Sequence, residues 1–165
     1  MPLKIIGCVL IAAAGFYIGY LQSLKLHRRK NFLDRLSVFA QLLSTNIRFN
    51  SGDVFSVVNV SADESELKLL NVERDEKLSF EYSWNKSVNK LPKKLGLLNS
   101  DKELLTELGK ELGKTDVEGQ LRFIQLFSER LALFRNEARE ALVQKTKLYR
   151  AMGFFLGATL ALLVI

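Results

Sequence analysis

Gly113-Lys114-Thr115 has the residue types of a phosphate-cradling loop, and Gly109 lies just upstream. In such a loop the glycine backbone and the lysine surround the phosphates, and the hydroxyl holds a metal ion. The chemistry needs four residues between the first glycine and the Gly-Lys-Thr run, and a strand before the loop. Here Gly109 and Gly113 enclose three residues, and the position that should be glycine is Leu108. The preceding segment has the apolar spacing of a helix. The stretch therefore reads as a helix–turn–helix elbow. Gly109 lets two helices approach closely, Gly113 ends one helix in the left-handed conformation, and Thr115 or Asp116 starts the next. Asp116 and Gln120 are i,i+4 neighbours on that next helix. They stand either as a cap with a solvated neighbour or as a pair facing a partner.

Little else in the sequence could carry a reaction. The one histidine, His27, sits in a basic run, and the one cysteine, Cys8, sits in an apolar run. Neither a disulfide within the chain nor a zinc site can be assembled from them. The carboxylates are scattered among basic neighbours, as in Glu107-Glu111-Lys114 and Glu129-Arg130, the pattern of helix-surface pairing. The expectation is a chain that is not an enzyme and takes no cofactor and no metal. Nucleic acid is not an expected partner either. Residues 25–50 hold six basic side chains against one acidic, without the interleaved exposed aromatics that single-strand binders use.

The elements that must position these residues fall into three parts. Residues 1–24 and 148–165 are mostly apolar, whereas charge is concentrated between residues 25 and 150, where the formal net is about +5. Ile5 to Leu24 is a run of uncharged residues, and as a helix it would be about 30 Å long, the thickness of a bilayer's hydrocarbon core. A cleaved leader ending near Ala12-Ala13-Ala14 is the alternative, but the apolar run continues through Phe16, Tyr17, Ile18 and Leu21. Leu148 to Ile165 is near the lower length limit for a span, with a buried soluble helix as its alternative. Both segments carry G-x-x-x-G, at Gly15 and Gly19 and at Gly153 and Gly157. That spacing lets two helix backbones approach, so the ends are expected to pack as an antiparallel hairpin of membrane helices. Lys25, Arg28, Arg29 and Lys30 follow the first segment, and Lys145, Lys147 and Arg150 flank the second. They place the middle domain in the cytoplasm with both termini across the membrane, and they suit anionic lipid headgroups.

The middle domain, residues 25–147, reads as an all-α bundle. Leu33, Leu36, Ala40, Leu43 and Ile47 mark one face of a first helix, stopped at Asn50-Ser51-Gly52. Val54–Val60 is ambiguous between strand and helix, and a short helix capped by Asp53 is favoured. Ser61 with Glu64, Ser100 with Glu103 and Thr115 with Glu118 have capping-box spacing, predicting helices from Asp63, Asp101 and Asp116 onward. Phe80, Trp84, Val88 and Leu91 form one stripe that ends at Pro92. Val117, Leu121, Ile124, Phe127, Leu131, Phe134 and Ala138 average 3.5 residues apart, a coiled-coil-like seam on the longest helix. Phe123, Leu126 and Leu133 make a second stripe, for a partner or for another helix of the domain.

These features together resemble the stage III sporulation protein AB family of endospore-forming bacteria. The resemblance rests on the anchor, the first-helix seam, Trp84 and the run Leu108-Gly109, Leu112-Gly113, Asp116 and Gln120. It extends through the Lys147-Leu148-Tyr149 approach to Gly153, and so covers nearly the whole chain. It implies a mother-cell membrane protein facing the forespore. Its helical domain would be similar to the F domain of the type II secretion and type IV pilus platform protein. It also implies work beside a secretion-type ATPase, stage III sporulation protein AA-like, and other membrane subunits of a channel. Self-association is left open.

Overall fold

The computed structural model describes the backbone of residues 2–49, 52–75 and 77–164, and side chains at 13–15, 17–49, 52–75, 77–149, 151, 152, 155 and 159. Within those residues the chain is all helix and turn. Five α-helices follow in order: α1 (Pro2–Phe49), α2 (Val54–Glu64), α3 (Phe80–Asn89), α4 (Asn99–Glu111) and α5 (Val117–Val164). Short 3-10 turns lie at Lys68–Leu70 and Lys93–Leu95. The chain forms two compact units, Met1–Lys30 with Glu137–Ile165, and Asn31–Asn136.

The Asn31–Asn136 unit is a helical bundle whose core follows the predicted stripes. Phe32, Leu33, Leu36, Phe39, Ala40 and Leu43 from α1 are buried, as are Val57, Val58 and Ala62 from α2. Leu104, Leu105 and Leu108 of α4 and Ile124, Phe127 and Leu131 of α5 complete it. Trp84 on α3 is fully enclosed. Its ring stacks between Phe39 at 6.2 Å and Phe80 at 6.0 Å, and its Nε1–H donates to the carbonyl of Leu105 at 2.7 Å. A buried indole needs that partner, because an unpaired N–H would cost about 1–3 kcal/mol.

Local chemistry shifts several helix limits. Val54–Val60 is helical, yet its helix runs on through Ser61 to Glu64, so no helix starts at Asp63. The Ser61 hydroxyl donates back to the Val57 carbonyl at 2.8 Å and accepts from Asn46 Nδ2, which removes it from any capping role. The helix then closes in a Schellman motif. Leu67 N–H donates to Ala62 O, Glu66 N–H donates to Asp63 O, and Glu66 takes φ 58°. Arg35 of α1 pairs with the Glu66 carboxylate at 2.9 Å. Asp53 precedes α2 without a side-chain cap and instead pairs with Arg74 at 3.2 Å. At α4 the predicted Ser100–Glu103 box is replaced. The helix starts at Asn99, and the buried Asp101 carboxylate accepts from the Leu98 N–H at 2.8 Å. The stretch after the first 3-10 turn is held by a side-chain amide. Asn59 Nδ2 donates to Val72 O at 3.0 Å, and Val72 N–H donates to Asn59 Oδ1 at 2.7 Å.

The other unit gathers both chain ends. Among its described residues Gly19, Ser23, Arg29 and Ala138 are buried. Tyr17, Ile18, Leu21, Val143, Leu148, Met152 and Phe155 are exposed. Among the described residues no helix is long and apolar enough to cross a membrane. Most side chains of the expected spans 1–24 and 148–165 lie outside the described residues, among them Cys8 and Arg150, and so do the surroundings of Gly153 and Gly157.

Candidate functional site

The α4–α5 connection, Leu112 to Asp116, is a tight elbow built from short-range interactions. Helix α4 stops at Glu111, Leu112 turns extended at φ −63° and ψ 130°, and Gly113 takes φ +80°. Gly113 makes the left-handed turn that a side chain would oppose. Space forbids a side chain as well, since a Cβ there would stand 2.9 Å from Val54 Cγ2.

The next turn begins at Val117, so Asp116 is the cap and its Oδ1 accepts from Gly119 N–H at 3.0 Å. Gln120 is not merely solvated. Its Oε1 accepts from Gly113 N–H at 3.3 Å, and its Nε2 donates to Thr115 O at 3.0 Å. One side chain thus bridges both sides of the elbow. Glu118, read as the partner in a third capping box, pairs instead with Arg122 one turn on. Gly119 was not singled out in the sequence. A Cβ there would meet Thr115 Oγ1 at 2.8 Å and Asp116 Oδ1 at 2.9 Å, so the capping contacts crowd against it.

Gly109 packs the elbow to the core. A Cβ at this position would lie 2.0 Å from Trp84 Cδ1, inside the indole. Lys114, the would-be phosphate lysine, pairs with Glu81 of α3 at 3.5 Å. The N-terminus of α5 is occupied by the Asp116 carboxylate, which repels an incoming anion. The arrangement orders two helices and offers no phosphate cradle.

Of the concave surfaces that adjoin these helices, two bear on the elbow and the apolar stripes of α5. A cavity of about 290 Å³ lies between Leu43, Val54, Val57, Leu112, Val117 and Gln120. A groove of about 460 Å³ runs between α4 and α5, lined by Leu104, Phe123, Leu126, Phe127 and Leu133. Arg130 and Glu107 form an ion pair on that groove. The first α5 stripe is mainly buried, whereas Leu126 and Leu133 of the second remain 59% and 63% exposed. Within Asn31–Asn136 Leu126 and Leu133 form a bare face, while Phe123 of the same stripe is half-buried.

The basic residues near the ends are placed unequally. Lys25, Arg28, Lys145 and Lys147 are exposed and Lys30 is half-buried. Arg29, at 5% exposure, is turned in. Gly15 is half-buried and Gly19 buried in the unit that holds both ends.

A family model described as stage III sporulation protein AB matches residues 4–165. No curated protein matches the chain. No solved structure matches it either.

Proposed function

The chain belongs to the stage III sporulation protein AB family, and from that premise we propose that this sporulation protein is a non-enzymatic membrane platform subunit. In this reading it sits in the mother-cell membrane facing the forespore, within a secretion-like channel complex. The Asn31–Asn136 bundle faces the cytoplasm and docks a secretion-type ATPase, and both termini lie across the membrane. Its work is mechanical. Movements of the ATPase pass through the helices to the membrane segments.

The observation that carries the anchoring is the inverted character of the unit that joins the chain ends. Glycine, a serine hydroxyl and an arginine are turned in, while Tyr17, Ile18, Leu148, Met152 and Phe155 are turned out. Water disfavours that arrangement and lipid favours it, because small residues allow close helix packing and large apolar ones meet acyl chains. Exposed Lys25, Arg28, Lys145 and Lys147 suit the headgroup layer beside it. The docking half is supported by the bare stripe of Leu126 and Leu133 beside the α4–α5 groove.

Two measurements test the reading. Full-length protein from gently lysed cells, without detergent, is expected in the membrane fraction, and its recovery in the soluble fraction overturns the anchoring. Pull-down of the ATPase by detergent-solubilised full-length protein is expected to fail for Leu126→Glu/Leu133→Glu. Equal recovery by that variant removes the stripe as the docking face. Charge reversal at Asp116, in parallel, decides whether the cap also faces the partner.

A further inference from the structure

A strongly basic concavity lies within the Asn31–Asn136 unit and is lined by none of the elbow residues. It is a cleft of about 680 Å³ between α3 and the chain from the Lys68–Leu70 turn to Leu78. Lys86 and Lys90 line it from α3, and Lys68 and Lys77 line it from the opposite wall. None of these four lysines has a carboxylate within salt-bridge distance among the described residues.

Among its described residues the cleft contains two carboxylates, Glu73 and Asp75, and Asp75 already accepts from the Lys77 backbone N–H at 3.0 Å. Arg74, the fifth cation, is engaged by Asp53 and lies 6.0 Å over the Phe55 ring. Ser83 on the α3 wall is 6% exposed, and its hydroxyl has no hydrogen-bond partner among the described residues. The Ser83 oxygen is not one of the fully buried unpaired atoms of the described residues, so it opens onto the cleft and is available to bond a ligand there.

The plainest explanation of Lys86 and Lys90 is the negative end of the α3 dipole. That accounts for one wall only. Lys68 and Lys77 bring further positive charge across the cleft, so that among its described lining residues five cations face two carboxylates, and like charges held together cost free energy. We propose that this cleft binds a phosphate-bearing anion, with Lys68, Lys77, Lys86 and Lys90 supplying the charge and the Ser83 hydroxyl supplying a hydrogen bond. Its volume falls in the range of small-ligand sites, roughly 300–1,000 Å³. The Ser87 hydroxyl is committed to the Asn71 carbonyl at 3.0 Å and takes no part.

Phosphate of this kind comes either as a free oligophosphate or as a lipid headgroup. Inorganic pyrophosphate and dihexanoyl phosphatidylglycerol, kept below its micelle concentration, distinguish the two. Each is titrated by calorimetry into full-length protein in neutral detergent, beside a polyglutamate control. The expected result is saturable one-to-one binding of at least one phosphate probe. It should weaken about tenfold or more in Lys86→Glu/Lys90→Glu, the loss of roughly 1.4 kcal/mol that tenfold represents. It should weaken by a few-fold in Ser83→Ala, a change that leaves the charge intact and so separates a built site from diffuse counterion attraction. Pyrophosphate binding with this dependence assigns a free phosphate ligand, and binding of the lipid alone assigns a headgroup. The proposal is overturned if neither probe binds, if the double variant binds as wild type does, if Ser83→Ala binds as wild type does, or if polyglutamate matches the phosphate probes. Thermal unfolding of each variant shows that the fold is retained. Should the double variant unfold, Lys68→Gln/Lys77→Gln from the opposite wall replaces it with the same expected loss.

Discussion

The Trp84 indole fills the space that a side chain on Gly109 would need, so α3 and α4 meet where one contributes its largest residue and the other none. Any Cβ at 109 falls 2.0 Å from Trp84 Cδ1. Gly109→Ala is therefore expected to destabilise the bundle by about 2 kcal/mol, since overpacking outweighs the roughly 1 kcal/mol gained in helix propensity. Denaturant unfolding of the full-length protein, followed by far-UV circular dichroism, measures it. A second substitution, Trp84→Leu, is expected to cost less in the Gly109→Ala background than in wild type. Additive losses would mean that the two residues do not share that space.

At the elbow, Gly113→Val is expected to lower stability by about 2 kcal/mol, from the left-handed dihedral together with contact against Val54. Adding Val54→Ala should relieve the contact and leave about 1 kcal/mol of backbone cost. Unchanged thermal stability in Gly113→Val would remove the left-handed turn from the account.

Gln120→Ala is expected to cost about 1 kcal/mol, because two exposed hydrogen bonds are partly replaced by water. Gln120→Glu should behave similarly or worse, since a carboxylate still accepts from Gly113 but faces the Thr115 carbonyl without a donor. Hydrogen exchange at the Gly113 amide should quicken in Gln120→Ala and stay slow in Gln120→Glu. Exchange as slow in Gln120→Ala as in wild type would show that the amide is protected by something other than this side chain.

Asn59→Ala should destabilise by about 1–3 kcal/mol, because the side-chain amide serves the Val72 N–H and carbonyl together in a part-buried setting. Val72 itself is only 2% exposed, so its orphaned backbone groups would have poor access to water. Faster amide exchange at Val72, without a change at Ile124, would confirm a local loss. No change at Val72 would count against the tie.

Periodicity carried the fold into view before any coordinates. The faces of α1, α3 and α5 were legible because a helix repeats its apolar positions, and Trp84 was legible as core for the same reason. The elbow was legible because a glycine pair with failed phosphate-loop spacing has few other uses. Capping spacing was a poorer guide. Ser61 with Glu64 matched the pattern, but the buried Ser61 found a carbonyl one turn back and the helix ran through. Ser100 with Glu103 matched too, yet Asp101 was nearer the Leu98 amide. The Asn59–Val72 tie and the cleft lysines left no periodic trace, because they join residues through loop geometry that spacing along the chain does not encode.

Asp34 of α1 accepts from Arg135 Nε of α5 at 3.0 Å, and Arg135 Nη1 also donates to Ser37 at 3.2 Å. A partly exposed pair of this kind contributes little free energy, about 1 kcal/mol or less. Its bearing is on timing. The partners stand 101 residues apart, so the contact that closes the bundle joins an early part of the nascent chain to a late one. Until Ile124, Phe127 and Leu131 have left the ribosome, the core is incomplete and the apolar face of α1 is covered only by earlier elements such as Trp84, stacked on Phe39, and that interval is when chaperones or misassociation would compete for it.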